Sequence, residues 1–411
     1  MFASLKANPS ARGFIALYSG TFMSGAWAMI IPTIPALGRE FGVSPGGAAQ
    51  IITATVIGRF FGTIVAGILL DRRGTRVALV GGPLVACRAA LLCAVAPWFP
   101  MILLLSVCIG AADSFWSTAR EIAAIDLARR SQRGRLISSL HGTYNMGTAI
   151  APVIGGWLTE IIGFQAAFFG YAAACALAVI LGMRSPNSPA PPKAQKTPES
   201  PQGWGATALR ERARGVLALF DEIRPDLRST YGLLVLATMI SQSQRIIVQS
   251  MLPLYAAAYL HLSPSQIGML FTISGVIVFA MIIPAGFVMD RVGRKWCTVP
   301  STGLPALIFL LIPMTDSFAQ LGILVGIAGF AQGLSLGSLA TSTYDVVPAH
   351  VRGRLQAVRR TIAELGSSLA PLIGGYLANA YHPGVPFLVY APLLVVCAAL
   401  LAVFAKETLE R

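Results

Sequence analysis

Two stretches decide the fold: Gly67-Ile-Leu-Leu-Asp-Arg-Arg-Gly-Thr-Arg76 and Gly286-Phe-Val-Met-Asp-Arg-Val-Gly-Arg-Lys295. Their first glycines stand 219 positions apart, and the same spacing relates Asp71 to Asp290, Arg72 to Arg291 and Gly74 to Gly293. Outward from these stretches it also relates Asp126 to Asp345, Arg133-Gly134-Arg135 to Arg352-Gly353-Arg354, Gly147 to Gly366, Pro152 to Pro371, and Gly155-Gly156 to Gly374-Gly375. One offset held over so long a reach means that the chain is two copies of one unit.

Composition says what the unit is made of. Of the 411 residues, 55% are hydrophobic and only 12% charged, with a mean hydropathy of +0.69. A water-soluble globule needs more polar surface than this. A bilayer span takes about 20 apolar residues, and lipid offers backbone groups no partner, so each run must be a helix. The runs fall at roughly 13–37, 46–70, 77–96, 100–126, 135–162, 164–183, 229–256, 266–289, 296–314, 318–345, 355–380 and 385–405, with ends uncertain by about two residues. The expected fold is therefore an all-α membrane protein of twelve transmembrane helices in two pseudo-symmetric six-helix bundles. Six crossings return the chain to the same side, so the copies are related by an axis along the membrane normal. The divisions are residues 1–183, a linker at 184–228 and residues 229–411. The linker begins rich in Pro, Ser and Lys, which reads as a flexible tether. Near 206–222 it mixes Arg210, Arg212 and Arg214 with Leu209, Leu217 and Phe220, the pattern of a helix lying on the membrane surface.

Charge gives the orientation. Of the 31 Lys and Arg residues, only Arg39, Arg59, Arg88, Arg120 and Arg245 lie away from one face of a twelve-crossing chain. That basic face is expected to be cytoplasmic, with both termini on it. The net charge of +14 is then a topology signal that also attracts anionic lipid, and no nucleic-acid partner is implied. The first apolar run is too long for a signal-peptide core and reads as a retained anchor helix. The six cysteines and four histidines show no paired spacing, so neither a metal site nor a disulfide framework is expected, and no cofactor.

The paired loop stretches resemble, by motif, the loop between the second and third helices of the major facilitator superfamily, usually written G-x-L-a-D-r-x-G-r-k. The second copy is the better fit, and the first departs at Thr75, where a basic residue is usual. The resemblance implies a secondary transporter with a solute site between the halves near mid-membrane, a single working chain, and placement in a bacterial inner membrane. It also implies that Asp71, Arg76 and Asp126 form a cytoplasmic latch, for which the duplicated Gly67, Arg72, Gly74, Gly286, Asp290, Arg291 and Gly293 are candidates. A helix-capping turn that only sets topology is the alternative. In the fifth helix Gly147, Ala151, Pro152, Gly155 and Gly156 resemble the G-x-x-x-G-P-x-x-G-G stretch of drug–proton antiporters in this family. Because Gly366, Ala370, Pro371, Gly374 and Gly375 repeat the pattern in the eleventh, a shared packing device is the alternative. The Arg that such antiporters often carry in the fourth helix is missing, and Asp113 stands where Gln would be.

Polar groups inside the spans are costly in lipid, by about 2.5–3.5 kcal/mol each, and normally face the bundle interior. Arg59, Arg88 and Asp113 are expected near mid-depth. Asp113 is the candidate proton-coupling residue, with Arg59, Arg88 or Arg120 tuning its charge and Glu121 as a second station; a static ion pair is the alternative. The seventh helix runs Ser241-Gln-Ser-Gln-Arg245 and then Gln249. Gln242, Arg245 and Gln249 share one side at helical spacing and form the candidate solute site, with Trp27 and Trp116 as aromatic walls; plain packing is the alternative for each Trp. Glu364 is read as a rim residue pairing with Arg359 or Arg360. Three classes stay open: proton-coupled efflux of lipophilic or amphipathic compounds, uptake or exchange of a small organic anion, and a receptor on a transporter fold. Without a phosphate loop, metal cluster or nucleophile motif, an enzyme is not expected.

Overall fold

A computed structural model describes residues 9–73, 75–127, 133–183, 220–335, 337–348 and 351–407. It is helical throughout, with no strand among the described residues. The spans are span 1 (Gly13–Glu40), span 2 (Pro45–Arg73), span 3 (Thr75–Ala94), span 4 (Phe99–Leu127), span 5 (Arg133–Ile161) and span 6 (Phe164–Met183). The second copy supplies span 7 (Arg228–Ala258), span 8 (Pro264–Arg291), span 9 (Lys295–Leu311), span 10 (Phe318–Val346), span 11 (Arg352–Ala380) and span 12 (Val385–Phe404). The surface helix expected near 206–222 lies almost wholly outside the described residues.

Eight of these spans are long and apolar enough to cross a membrane by composition. Spans 2, 5, 7 and 11 are as long or longer, but each turns polar residues to the centre: Arg59 and Thr63, His141 and Tyr144, Gln242 and Arg245, Arg360 and Glu364. Two spans are broken. In span 1 the stretch Gly25–Thr33 tightens to a 3-10 helix containing Pro32, which cannot donate to the ladder. In span 10 the helix stops at Ser335 and restarts at Ser338 through Gly337, whose φ of +86° is left-handed backbone that suits glycine.

The small-residue stretches of spans 5 and 11 show how the halves are assembled. Gly147 and Gly155 pack on span 1 at Phe22 and Met29, while Gly156 packs across the halves on Pro264 of span 8. The second copy repeats this: Gly366 and Gly374 pack on span 7 at Met239 and Ile247, and Gly375 packs across on Gly46 of span 2. Of each neighbouring glycine pair, the first thus closes its own bundle and the second closes the molecule. Pro152 lends its carbonyl to the close approach of Gly268, which extends the span 5–span 8 seam. A methyl group on Gly156 would lie 2.2 Å from the Pro264 oxygen, so only glycine fits. Two hydrogen bonds reinforce the seam at the end opposite the basic face: Gly46 N–H to Asn379 Oδ1 at 2.8 Å and Ser265 N–H to Glu160 Oε2 at 3.1 Å.

Candidate functional site

Between the halves lie three cavities with shared walls. The middle one, about 290 Å3, is lined by Trp27, Arg59, Tyr144, Asn145, Gln242, Arg245, Gln249, Phe271 and Gln332, among others. A second, about 310 Å3, shares Arg59 and Tyr144 with it and continues past Asp113, Ser117, Glu121, His141 and Glu364 towards the basic face. The third, about 600 Å3, shares Gln242 and Arg245 with the middle cavity and widens past Ser241, Leu339, Arg360 and Thr361, also towards that face. The closed seam lies at the opposite end, so the cavity system opens on the basic side.

Arg59 is the centre of the N-terminal half. Its Nε lies 3.2 Å from Asp113 Oδ2, and its guanidinium carbon is 4.7 Å from the Trp27 ring. Trp27 in turn donates its indole N–H to the Tyr144 hydroxyl at 2.9 Å. Spans 1, 2, 4 and 5 are joined through this one cation. The Arg59 Nε makes no directed hydrogen bond, so the contact with Asp113 is an ion pair without the geometry of a fork. Asp113 itself is 8% exposed, at the foot of a cavity that leads to the basic face.

Several residues singled out in the sequence stand elsewhere. Arg88 does not reach Asp113: span 3 buries Ala86, Ala89 and Ala90, which turns position 88 to the outer surface. Trp116 lines neither the middle cavity nor its extensions, because it packs on the bare backbone of Gly82 in span 3 and under Arg120. Arg120 borders the cavity, yet its Nη1 donates to the Gly20 carbonyl at 3.1 Å and its guanidinium stacks 4.6 Å from Trp116. Those contacts tie span 4 to span 1. Gln242, Arg245, Gln249 and Trp27 do come together, around the middle cavity.

Glu364 differs from the rim residue read in the sequence. It lines two of the cavities, one of them together with Arg59 and Asp113. Tyr144 and Asn145 were not singled out either. The signal was present, since His141, Tyr144, Asn145 and Thr148 follow helical spacing along one face of span 5.

The loop stretches are unequal. In the second copy Arg294 bridges Asp290 at 2.9 Å and Asp345 at 3.1 Å, while Glu407 accepts from the backbone N–H of Arg294 and Lys295. Arg291 stacks 4.4 Å from Phe287, and Gly293 takes a φ of +146°. This cluster lies wholly within the C-terminal half. In the first copy the side chains of Asp71, Arg72 and Asp126, the surroundings of Gly67, and Gly74 altogether lie outside what is described. Arg76 donates to the Met183 carbonyl at 3.0 Å, and Thr75, buried, stands where Arg294 bridges the second copy.

The family model of the Major Facilitator Superfamily matches residues 16–224 and 234–411. The chain is 26% identical over 381 residues to the multidrug resistance protein MdtG of Proteus mirabilis, covering 89% of each chain. It is 22% identical over 402 residues to the cis,cis-muconate transport protein of Acinetobacter baylyi, covering 96% of this chain and 94% of that one. Among solved structures, a POT family transporter in complex with 5-aminolevulinic acid aligns with a TM-score of 0.79 at 12% identity, covering 97% of this chain and 96% of that one. A D-xylose–proton symporter aligns at 0.71 and 18%, covering 96% and 98%. With twelve spans in two copies around a central cavity and a family match over nearly the whole chain, the protein belongs to the Major Facilitator Superfamily of membrane transporters.

Proposed function

We propose that this chain is a proton-coupled exporter of small amphipathic compounds that works by alternating access. The observation that carries the reading is the Arg59–Asp113 pair: a carboxylate at the foot of a cavity reaching the basic face, held by a cation that also borders the middle cavity. Protonating Asp113 releases Arg59, and a freed cation changes how the neighbouring cavity receives a solute. Glu364, on the opposite half and lining the same cavity, is the next acceptor for that proton or for Arg59. The similarity to multidrug resistance proteins supports export of drug-like compounds. In this reading residues 1–183 and 229–411 rock against each other, residues 184–228 tether them, the basic face is cytoplasmic, and one chain suffices, because seam and cavities lie within it.

The test is reconstitution in liposomes with imposed pH or sodium gradients and a panel of dyes and organic acids. Uphill movement driven by the pH gradient and abolished by a protonophore is expected. Sodium-driven movement would replace the proton in the scheme, and no movement under either gradient would favour a receptor.

A further inference from the structure

We propose that the solute of the middle cavity is an amphipathic organic acid, anchored by its anionic group on Arg245 with its apolar body against Trp27 and Phe271. The proposal rests on the transport reading only in taking this cavity as the place where solute binds. Arg245 stands near the middle of the 31-residue span 7. The charged residues lining the middle cavity are Arg59 and Arg245, and Arg59 already has Asp113. Arg245 makes no ion pair and no side-chain hydrogen bond among the described residues.

Arg245 is half-buried, borders both the middle and the wide cavity, and has no counter-charge beside it, so an anion entering from the basic face meets an unpaired guanidinium. The groups around it fit an anion. Gln242, Gln249 and Gln332 offer amide N–H donors, and among the described residues no carboxylate lines this cavity. An acid such as a carboxylate would take the fork of Arg245 through two N–H groups, while a cation would meet the positive charge of two arginines. The ring of Trp27 and that of Phe271 give the rest of the molecule an apolar surface, as in most small-molecule sites. One rival partner exists: Glu364 lines the wide cavity that Arg245 also borders, and a shift of the halves would bring the two nearer.

The experiment uses the purified full-length protein in lipid nanodiscs and three probes on one ring system: 2-naphthoate, 2-naphthamide and the 2-naphthamidinium cation. Calorimetric titration is expected to rank naphthoate first, the amide at least about tenfold weaker, and the amidinium without measurable binding. Arg245→Gln is expected to lower naphthoate affinity to that of the amide, with the melting temperature of the empty protein unchanged or raised. Arg245→Met serves should the glutamine form fail to fold, and Arg88→Gln, on the outer surface of span 3, is expected to leave naphthoate binding intact. Preference for the amide or amidinium, naphthoate affinity unchanged by both Arg245 substitutions, equal loss of it in Arg88→Gln, or no naphthoate binding by wild type would each overturn the proposal. Its failure is separable from that of transport. A protein that holds naphthoate through Arg245 but moves nothing in liposomes keeps this site and loses the transport reading; one that pumps cationic dyes and ignores naphthoate does the reverse.

Discussion

Arg59 touches a carboxylate and an aromatic face at once, and the two attractions are unequal in how they answer to protons. When Asp113 is neutralised, the stacking on Trp27 remains and keeps the charge that Asp113 has released beside the middle cavity. Asp113→Asn is therefore expected to abolish pH-driven accumulation while leaving solute exchange down a gradient measurable in the same liposomes. A purely structural ion pair predicts a different result, a loss of stability that lowers both together. Breaking a fully buried pair costs about 3–5 kcal/mol, but the Arg59 side chain is 25% exposed to the cavity, so water softens the loss. Glu364→Gln is expected to slow accumulation while keeping exchange, read by the same flux assay; unchanged accumulation would return Glu364 to the rim role read in its sequence. At this scale depth was legible and direction was not. Counting residues from a helix end places Arg88 and Arg59 alike near mid-membrane, yet which way each points depends on how its span packs, and the alanines of span 3 turned Arg88 outward. Trp116 takes the packing alternative rather than the wall, because the groove at Gly82 comes from a different span.

Among the elements, spans 5 and 11 allow a paired test. Gly155→Ala puts a methyl group 2.2 Å from the Met29 oxygen inside one bundle, and Gly156→Ala puts one 2.2 Å from the Pro264 oxygen across the seam. Both overpack a backbone contact, an effect of about 1–3 kcal/mol. The first is expected to lower the melting temperature with little change in which side the cavity faces. The second is expected to part spans 5 and 8 and raise labelling of a cysteine at Ser265 from the side opposite the basic face. Equal effects on melting and equal labelling in the two variants would mean that the glycines do not divide their work. The spans themselves were largely readable, since twenty apolar residues in lipid leave only a helix: span 6 is found at 164–183 as expected. The breaks were not. Gly337 is one of many glycines in the sequence, and nothing local marks it as the one with left-handed backbone. The tightening at Gly25–Thr33 contains a local signal in Pro32, but the approach of Gly147, so close that any side chain at Gly25 would collide, comes from another span.

For the whole molecule, the cavities open on the basic face and the seam closes the other end. In a cysteine-free background, Ser117→Cys and Thr361→Cys are expected to react with a charged maleimide from the basic side and to be protected from the other. Equal reaction from both sides would mean that the opening described here is a minor state. The two loop clusters differ in a way that bears on this. Arg294 satisfies Asp290 and Asp345 inside its own half, whereas the equivalent position of the first copy is Thr75, which carries no charge of its own to make such a bridge. The repeat is thus symmetric in its helices and asymmetric in its charges.

The glycine seam has a thermodynamic consequence. Where Gly156 meets Pro264 and Gly46 meets Gly375, the contact is backbone on backbone, with few methyl groups to be wetted when it parts. Apolar area contributes about 25 cal/mol per Å2, so the glycine contacts themselves add little hydrophobic force, and the apolar hold between the halves comes from side chains of both that share one buried cluster. Parting the glycine contacts therefore wets little apolar surface, and the share of the seam's stability that they supply is expected to vary little with temperature.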